Sequence, residues 1–166
     1  MENIFKRRSV RKYTEQKVER EKIEKLLRAA MQAPSARNQH CWEFIVVEDK
    51  EKLNQLSSMG PNAKLIENAP LAIVVLGNEE RMTCNEYWEQ DLGASTQNIL
   101  LEAVNLNLGS VWIGTAPHKD RMDYVSNVFN LKENLKPFCI IAIGYPLDEN
   151  ANKFIDRFDE NRVQYF

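Results

Sequence analysis

Much that would identify a chain at a glance is missing from these 166 residues. No apolar run approaches the roughly 20 residues that a bilayer-spanning helix needs, so a helical membrane protein is set aside. Met1-Glu2-Asn3-Ile4-Phe5 has no apolar stretch of the signal-peptide kind. The three cysteines, Cys41, Cys84 and Cys139, are scattered and odd in number, with no Cys-x-x-Cys between them. That pattern suggests neither a disulfide framework nor a zinc site, and it makes the reducing cytoplasm the expected compartment. There is no excess of positive charge: 22 basic residues face 24 acidic ones, for a net charge of −2. A general nucleic-acid binder would carry a marked basic surplus. No Gly-x-Gly-x-x-Gly follows an apolar run and no Walker loop occurs, so neither a Rossmann dinucleotide site nor a P-loop is indicated. Internal repeats and low-complexity segments are absent as well.

What is present describes one globular domain spanning residues 1–166. Apolar residues make up 43% and charged residues 28%, enough to bury a core. Ile23, Leu26, Leu27, Ala30 and Met31 recur at helical spacing and predict a helix over residues 20–32, ended by Ala33-Pro34. Val18 and Ile23 are placed to staple its start, where Glu19 is a poor cap. Further helices are expected over residues 2–7, 50–58 (with Asp49 as cap), 86–107 and 119–129. The broad apolar face of the 86–107 helix suits an element packed on several sides, and Gly109 is placed as its C′ residue. Short runs rich in β-branched and aromatic residues over 42–48, 71–77, 110–115 and 138–144 predict buried strands. Gly60-Pro61-Asn62 reads as a turn. From Leu147 onward the chain is polar and without helical period, yet Phe154, Phe158 and Tyr165 suit a tail that wraps the body or a partner. Helices interleaved with buried runs imply three layers, a central sheet with helices on both faces.

Three stretches could carry chemistry. Lys6-Arg7-Arg8-Ser9-Val10-Arg11-Lys12-Tyr13 concentrates cations in an otherwise acidic chain. Its forked guanidinium donors match phosphate oxygens; the alternative is a solvated charge run. The polar loop Pro34-Ser35-Ala36-Arg37-Asn38-Gln39-His40-Cys41 lies between a helix end and a core strand. It is a place where function gathers or an ordinary connection. Gly114 either ends its strand or lets a flat ligand approach the backbone.

Four segments in order resemble the FMN-dependent nitroreductase family: Arg7 through Tyr13, Ala33 through Asn38, Gly109 through Gly114, and Lys153 through Arg157 before Asp159-Glu160-Asn161-Arg162-Val163. The resemblance implies an α+β, three-layer α/β/α fold with a mixed, largely antiparallel sheet. It further implies a homodimer with an FMN in each of two interface clefts and a C-terminal tail that crosses to the partner. Carried over by residue, Arg7, Arg8, Ser9 and Arg11 would hold the FMN phosphate and ribityl chain. Lys153 and Arg157 would close on that phosphate. Pro34, Ser35, Ala36 and Asn38 of the neighbouring subunit would line the flavin. Ile113, Gly114 and Thr115 would lie along the isoalloxazine, with Gly114 N–H near N5. Asn62 and Lys64 are placed at the pyrimidine edge by a looser match.

The activity so implied is reduction of FMN by NADH or NADPH, then of nitro compounds or quinones by the reduced flavin, in a ping-pong scheme. The flavin carries the chemistry, so no catalytic side chain is required, and His40 and His118 are read as structural or exposed. His40-Cys41-Trp42 stands where many members have Gln-Pro-Trp, a departure that bears on loop rigidity. Other flavin chemistry, such as reductive dehalogenation or ene reduction, is the competing enzymatic reading. A non-catalytic binding module is the third.

Overall fold

The computed structural model describes residues 2–166. Five α-helices, α1 (Glu2–Lys6), α2 (Arg20–Ala30), α3 (Lys50–Ser57), α4 (Trp88–Asn105) and α5 (Lys119–Phe129), alternate with four strands. The strands are β1 (Trp42–Val47), β2 (Leu71–Asn78), β3 (Gly109–Gly114) and β4 (Leu135–Gly144). They form one sheet in the order β1-β2-β4-β3. Every neighbouring pair is antiparallel. The parallel component is an isolated bridge between Ser9 and Ser110, where the basic stretch lies along β3. The expected mixed sheet is thus four antiparallel strands plus this one bridge.

The two-residue side-chain period of a strand sorts the core into two layers. On β2, Leu71, Ile73 and Val75 point to one layer with Ile141 and Ile143 of β4, the α2 residues Ile23, Leu26 and Ala30, and the α4 residues Leu92, Ile99 and Ala103. The alternate β2 residues Ala72, Val74 and Leu76 point the other way, to Leu53 and Leu56 of α3, Val125 of α5, Val111 and Ile113 of β3, and Ile66. All eight residues of β2 are buried, and a strand covered on both faces is apolar through Leu71–Leu76, its one polar side chain, Asn78, standing at the end with hydrogen-bond partners. Truncating a fully buried side chain such as Leu26 or Ile73 to alanine would cost about 2–5 kcal/mol.

Local signals end the elements, with some differences from expectation. Asp49 caps α3 by accepting from Lys52 N–H at 2.9 Å. Glu19 makes no side-chain cap bond to α2; its carboxylate accepts from Tyr145 Oη at 2.8 and 2.9 Å instead. The helix expected over 86–107 begins later, because Asn85–Tyr87 turns as a 3-10 segment first. Its left-handed terminating residue is Asn107 (φ 59°), not Gly109. Asparagine reaches this conformation at little cost, so the chain leaves the helix at Asn107, two residues before the glycine. Gly109 serves a different need: a Cβ there would lie 2.6–2.7 Å from Val10. The glycine lets the basic stretch press against β3. Gly60-Pro61-Asn62, expected as a turn, opens a 3-10 run over Pro61–Asn68 that buries Ala63 and Ile66.

The order of the sheet leaves β3 at an edge. Two segments far apart in the chain use that edge, and the candidate site is built there.

Candidate functional site

At the start of β3 the basic stretch is fixed by its backbone. Val10 N–H donates to Ser110 O at 3.0 Å. Buried Tyr13 places its hydroxyl 2.6 Å from Val10 O and 3.1 Å from Ala142 O. Asn152 ties the C-terminal segment to the same place: its Oδ1 accepts from Arg8 N–H at 3.2 Å and its Nδ2 donates to Leu108 O at 3.1 Å. The rings of Phe5 and Phe154 meet at 6.1 Å.

This clamp brings Arg157 near Arg8. Burial, then Arg157, then Arg7, all push the Arg8 pKa down, because each disfavours another positive charge. Arg8 Nη1 donates to Arg7 O at 2.5 Å, while Nε and Nη2 are buried with no hydrogen-bond partner. Among the described residues no carboxylate pairs with Arg7, Arg8 or Arg157. Unpartnered buried donors of a cation are costly, and a dianionic phosphate has the geometry to satisfy this fork. The residues therefore fit an anionic phosphate. Ser9 is exposed beside them, and its carbonyl accepts from Arg11 Nη1 at 3.2 Å. Lys153 is exposed in the adjoining segment.

Four residues further along β3, about 13 Å at the usual rise per residue, lies Gly114. Thr115 N–H donates to Phe138 O on β4 at 3.2 Å. In an antiparallel ladder the preceding residue must then direct its N–H and C=O away from β4. Gly114 thus turns both backbone groups to the open edge. Its carbonyl accepts from Arg121 Nη1 at 3.1 Å. A Cβ at Gly114 would meet nothing within 4 Å. The edge opens into a cleft of about 530 Å³, walled by Trp112, Ile113 and Gly114 of β3, by Pro61, Asn62 and Lys64, and by Arg11 and Arg121. The ionisable side chains lining it are all cationic. Lys64 also pairs with Glu67 at 2.6 Å. Trp112 keeps 37% of its surface exposed. Its ring packs edge-on against Phe138 at 5.4 Å.

The structure thus brings Arg11, Asn62, Ile113 and Gly114 together in one cleft, and Arg7, Arg8 and Arg157 at one corner. Thr115 is fully buried, its hydroxyl 3.8 Å from the Met59 sulfur, and does not line the cleft. Pro34, Ser35, Ala36 and Asn38 do not line it either. Their loop leads into β1, at the far edge of the sheet.

That loop is strained and braced. Arg37, Asn38 and His40 all have left-handed backbones (φ 48°, 58° and 45°) without being glycine, a conformation that persists only when its surroundings enforce it. Buried Asp91 of α4 accepts from Ala36 N–H at 2.9 Å and from Gln39 Nε2 at 2.5 Å. Gln39 in turn accepts from Cys84 N–H at 2.9 Å. Ser35 Oγ accepts from His40 N–H at 3.1 Å. His40 and His118 are exposed. The sequence reading picked out Gln39 as a hydrogen-bonding residue of this loop but missed Asp91, Asn152 and Arg121. The available signal for Asp91 was a carboxylate on the inward face of α4, three residues after Trp88 and four before Ser95.

The chain and its fold are shared with known proteins. The nitroreductase family model matches residues 4–60 and 53–145. A crystal structure from Clostridium acetobutylicum, named "Putative NADH Oxidase", is 56% identical, with a TM-score of 0.94 over 98% of this chain and 97% of that one. An FMN-dependent nitroreductase from Clostridium difficile is 35% identical, with a TM-score of 0.90 over 99% and 98%. A protein of Archaeoglobus fulgidus named "Putative NADH dehydrogenase/NAD(P)H nitroreductase" is 40% identical over 163 residues, covering 96% of this chain and 93% of that protein. Matched over most of its length by the family model and over nearly all of it by these relatives, the chain belongs to the nitroreductase family.

Proposed function

We propose that the protein is an NAD(P)H-dependent flavin oxidoreductase that holds FMN along the edge of β3. Its acceptors would be nitro compounds or quinones, taken in turn with the nicotinamide by a ping-pong scheme. The observation that carries the reading is the Arg8 fork, buried without a counter-charge between Arg7 and Arg157, one strand length from the open Gly114. A ligand satisfying both ends must be elongated, with a phosphate at one end and a flat group at the other.

In this reading Arg7, Arg8, Arg11, Arg157 and the exposed Ser9 and Lys153 hold the phosphate and ribityl chain. Ile113, Gly114 and Asn62 flank the ring. Bound flavin supplies hydride acceptance from the nicotinamide and donation to the second substrate. The protein's part is positional and electrostatic. Gly114 N–H offers a donor at the ring edge. Arg11 and Lys64 give the cleft a positive field that favours the negative charge arriving on reduction. No protein nucleophile or proton shuttle is needed. For a nitroarene the balance is NAD(P)H + H⁺ + ArNO₂ → NAD(P)⁺ + ArNO + H₂O. For a quinone it is NAD(P)H + H⁺ + Q → NAD(P)⁺ + QH₂.

The same reading makes the functional unit a homodimer, in which Pro34, Ser35, Ala36 and Asn38 of one subunit face the flavin of the other. The exposed Phe154, Ile155, Phe158 and Tyr165 of the tail would be covered by the partner. Three unpaired, buried cysteines suit the cytoplasm, and no helix among the described residues is long and apolar enough to cross a membrane.

The test is the absorption spectrum of the purified protein, followed by bleaching with NADH or NADPH and reoxidation by a panel of acceptors. A yellow protein that bleaches is the expected result. A colourless one that ignores added FMN would sink the reading and leave a binding module. Bound flavin reoxidised only by halogenated or activated alkene acceptors would favour the other family chemistries.

A further inference from the structure

Arg121 has no assigned role in the sequence-derived site, and its surroundings are specific. It stands in the first turn of α5 and lines the cleft beside Gly114. A guanidinium carries five N–H donors. The hydrogen bond that Arg121 makes, from Nη1 to Gly114 O at 3.1 Å, uses one of them and fixes the side chain. Among the described residues no carboxylate lies within ion-pair distance of it. The nearby acids are otherwise disposed: Asp123 pairs with Lys119 at 2.8 Å, and Asp120 is exposed. No acidic side chain lines the cleft. Next to Arg121 the space over Gly114 is open. The result is a half-buried, oriented cation without a counter-charge, aimed at the end of the cleft where a second substrate would stack.

We infer that Arg121 is a specificity-determining residue that recognises a carboxylate on an aromatic electron acceptor. The inference rests on the oxidoreductase reading above and names the substrate class for that site. A carboxylate can take two parallel bonds from one guanidinium, and a fixed fork loses little side-chain freedom in making them. The phosphates of the nicotinamide donor are a poorer match. They are separated from the reacting ring by a ribose, so with that ring at Gly114 they lie beyond a side chain tied to Gly114 itself. Arg11 and Lys64 approach from the N-terminal segment and the Pro61–Asn68 run, the side assigned to the cofactor.

The experiment uses matched pairs that differ only in charge. Benzoate and benzamide, which the enzyme cannot reduce, are titrated against the full-length protein. Flavin absorbance is followed where flavin is present, and tryptophan fluorescence in every case, since Trp112 lines the cleft. Steady-state kcat/KM is measured for 4-nitrobenzoate and 4-nitrobenzamide. We expect the wild type to favour the anion in both assays by about tenfold or more, the scale of one charge-assisted pair. Arg121→Gln should bring both ratios near unity by weakening the anion alone, with the amide, the KM for NADH and the flavin content unchanged. Arg121→Lys should restore part of the preference. The inference is overturned by a wild-type ratio near one, by Arg121→Gln leaving the ratio intact, or by Arg121→Gln lowering anion and amide alike. Loss of flavin in that variant would also overturn it, since the side chain would then serve the cofactor. A protein without flavin fails the oxidoreductase reading, while the fluorescence titration still decides the anion site.

Discussion

Asp91 Oδ2 accepts a hydrogen bond from Gln39 Nε2 at 2.5 Å, inside a buried pocket between α4 and the loop that precedes β1. The other oxygen takes Ala36 N–H, so one carboxylate holds both ends of a turn containing two left-handed non-glycine residues, Arg37 and Asn38, with His40 a third just beyond it. Asp91→Ala would strand both donors, and the cost should be about 1–3 kcal/mol. Asp91→Asn leaves one acceptor for two donors, so its amide nitrogen must face either the Gln39 amide or Ala36 N–H. Gln39 cannot flip in response without giving up Cys84 N–H. Urea unfolding should therefore show Asp91→Asn well below wild type. If the loop faces the partner's flavin, Asp91→Asn and Arg8→Ala protomers should restore up to half the flavin per dimer when mixed. Failure of mixing to restore any would place the loop on its own subunit's site.

Two glycines on β3 make a controlled pair. Gly109→Ala drives a Cβ into Val10 at 2.6–2.7 Å, and backbone and side chain must both shift. A loss of about 1–3 kcal/mol is expected, together with weaker FMN binding, because Arg8 lies two residues from Val10 in the same basic stretch. Gly114→Ala meets open space and should leave stability within about 0.5 kcal/mol of wild type. Flavin content should nevertheless fall, and fall further in Gly114→Val. Thermal melts and bound-flavin absorbance separate the two effects. A Gly114→Val protein that keeps reducible flavin would contradict the placement of the ring.

Arg8→Ala removes a cation whose pKa is already pushed down by burial and by Arg157 and Arg7. The flavin-free variant should be no less stable than flavin-free wild type, since a buried unsatisfied group and like-charge repulsion are lost together. FMN affinity should drop by roughly 10- to 100-fold, the range for a charge-assisted bond. Fluorescence titration with FMN at two salt concentrations would check it. Equal affinity in the two proteins would remove Arg8 from the phosphate site.

Alkali should destabilise the fold through its thiols. Burial pushes Cys41 up to about 11 and Cys139 up to about 12 from an ordinary 9.0. Above pH 9 the unfolded chain releases these protons while the native one retains them, so the unfolded state binds fewer and stability falls as pH rises. The contribution is intact below pH 9 and is lost progressively toward pH 11 to 12. Unfolding measured from pH 8 to 11 should show the decline, and a Cys41→Ala, Cys139→Ala protein should show less of it. At neutral pH neither thiol should react with iodoacetamide until the protein unfolds.

The strands were legible because their composition has one physical cause. A segment covered by helices on both faces has nowhere to put a polar side chain, and Leu71 to Leu76 says so residue by residue. Strand order was not legible, since it is fixed by contacts between distant segments such as Ser9 with Ser110. Gly109 misled because it carries the composition of a helix stop, while its position is dictated by Val10, nearly a hundred residues earlier. The cationic corner showed in the sequence as charge. Arg121 and Asp91 did not, because each acts by where it points. In sequence one is a cation on a polar helix start, the other one more acid in a charged chain.

The Asn152 clamp joins backbone segments that lie 144 residues apart, and it does so where Arg8 and Arg157 repel each other. Two amide hydrogen bonds hold that seam against like charges. An anion between the arginines would reverse the sign of the force, so the cofactor would act as a staple across the two ends of the polypeptide. Protease susceptibility of the residues after Asn152 would then report flavin occupancy, and a nicked tail would be a memory of time spent empty.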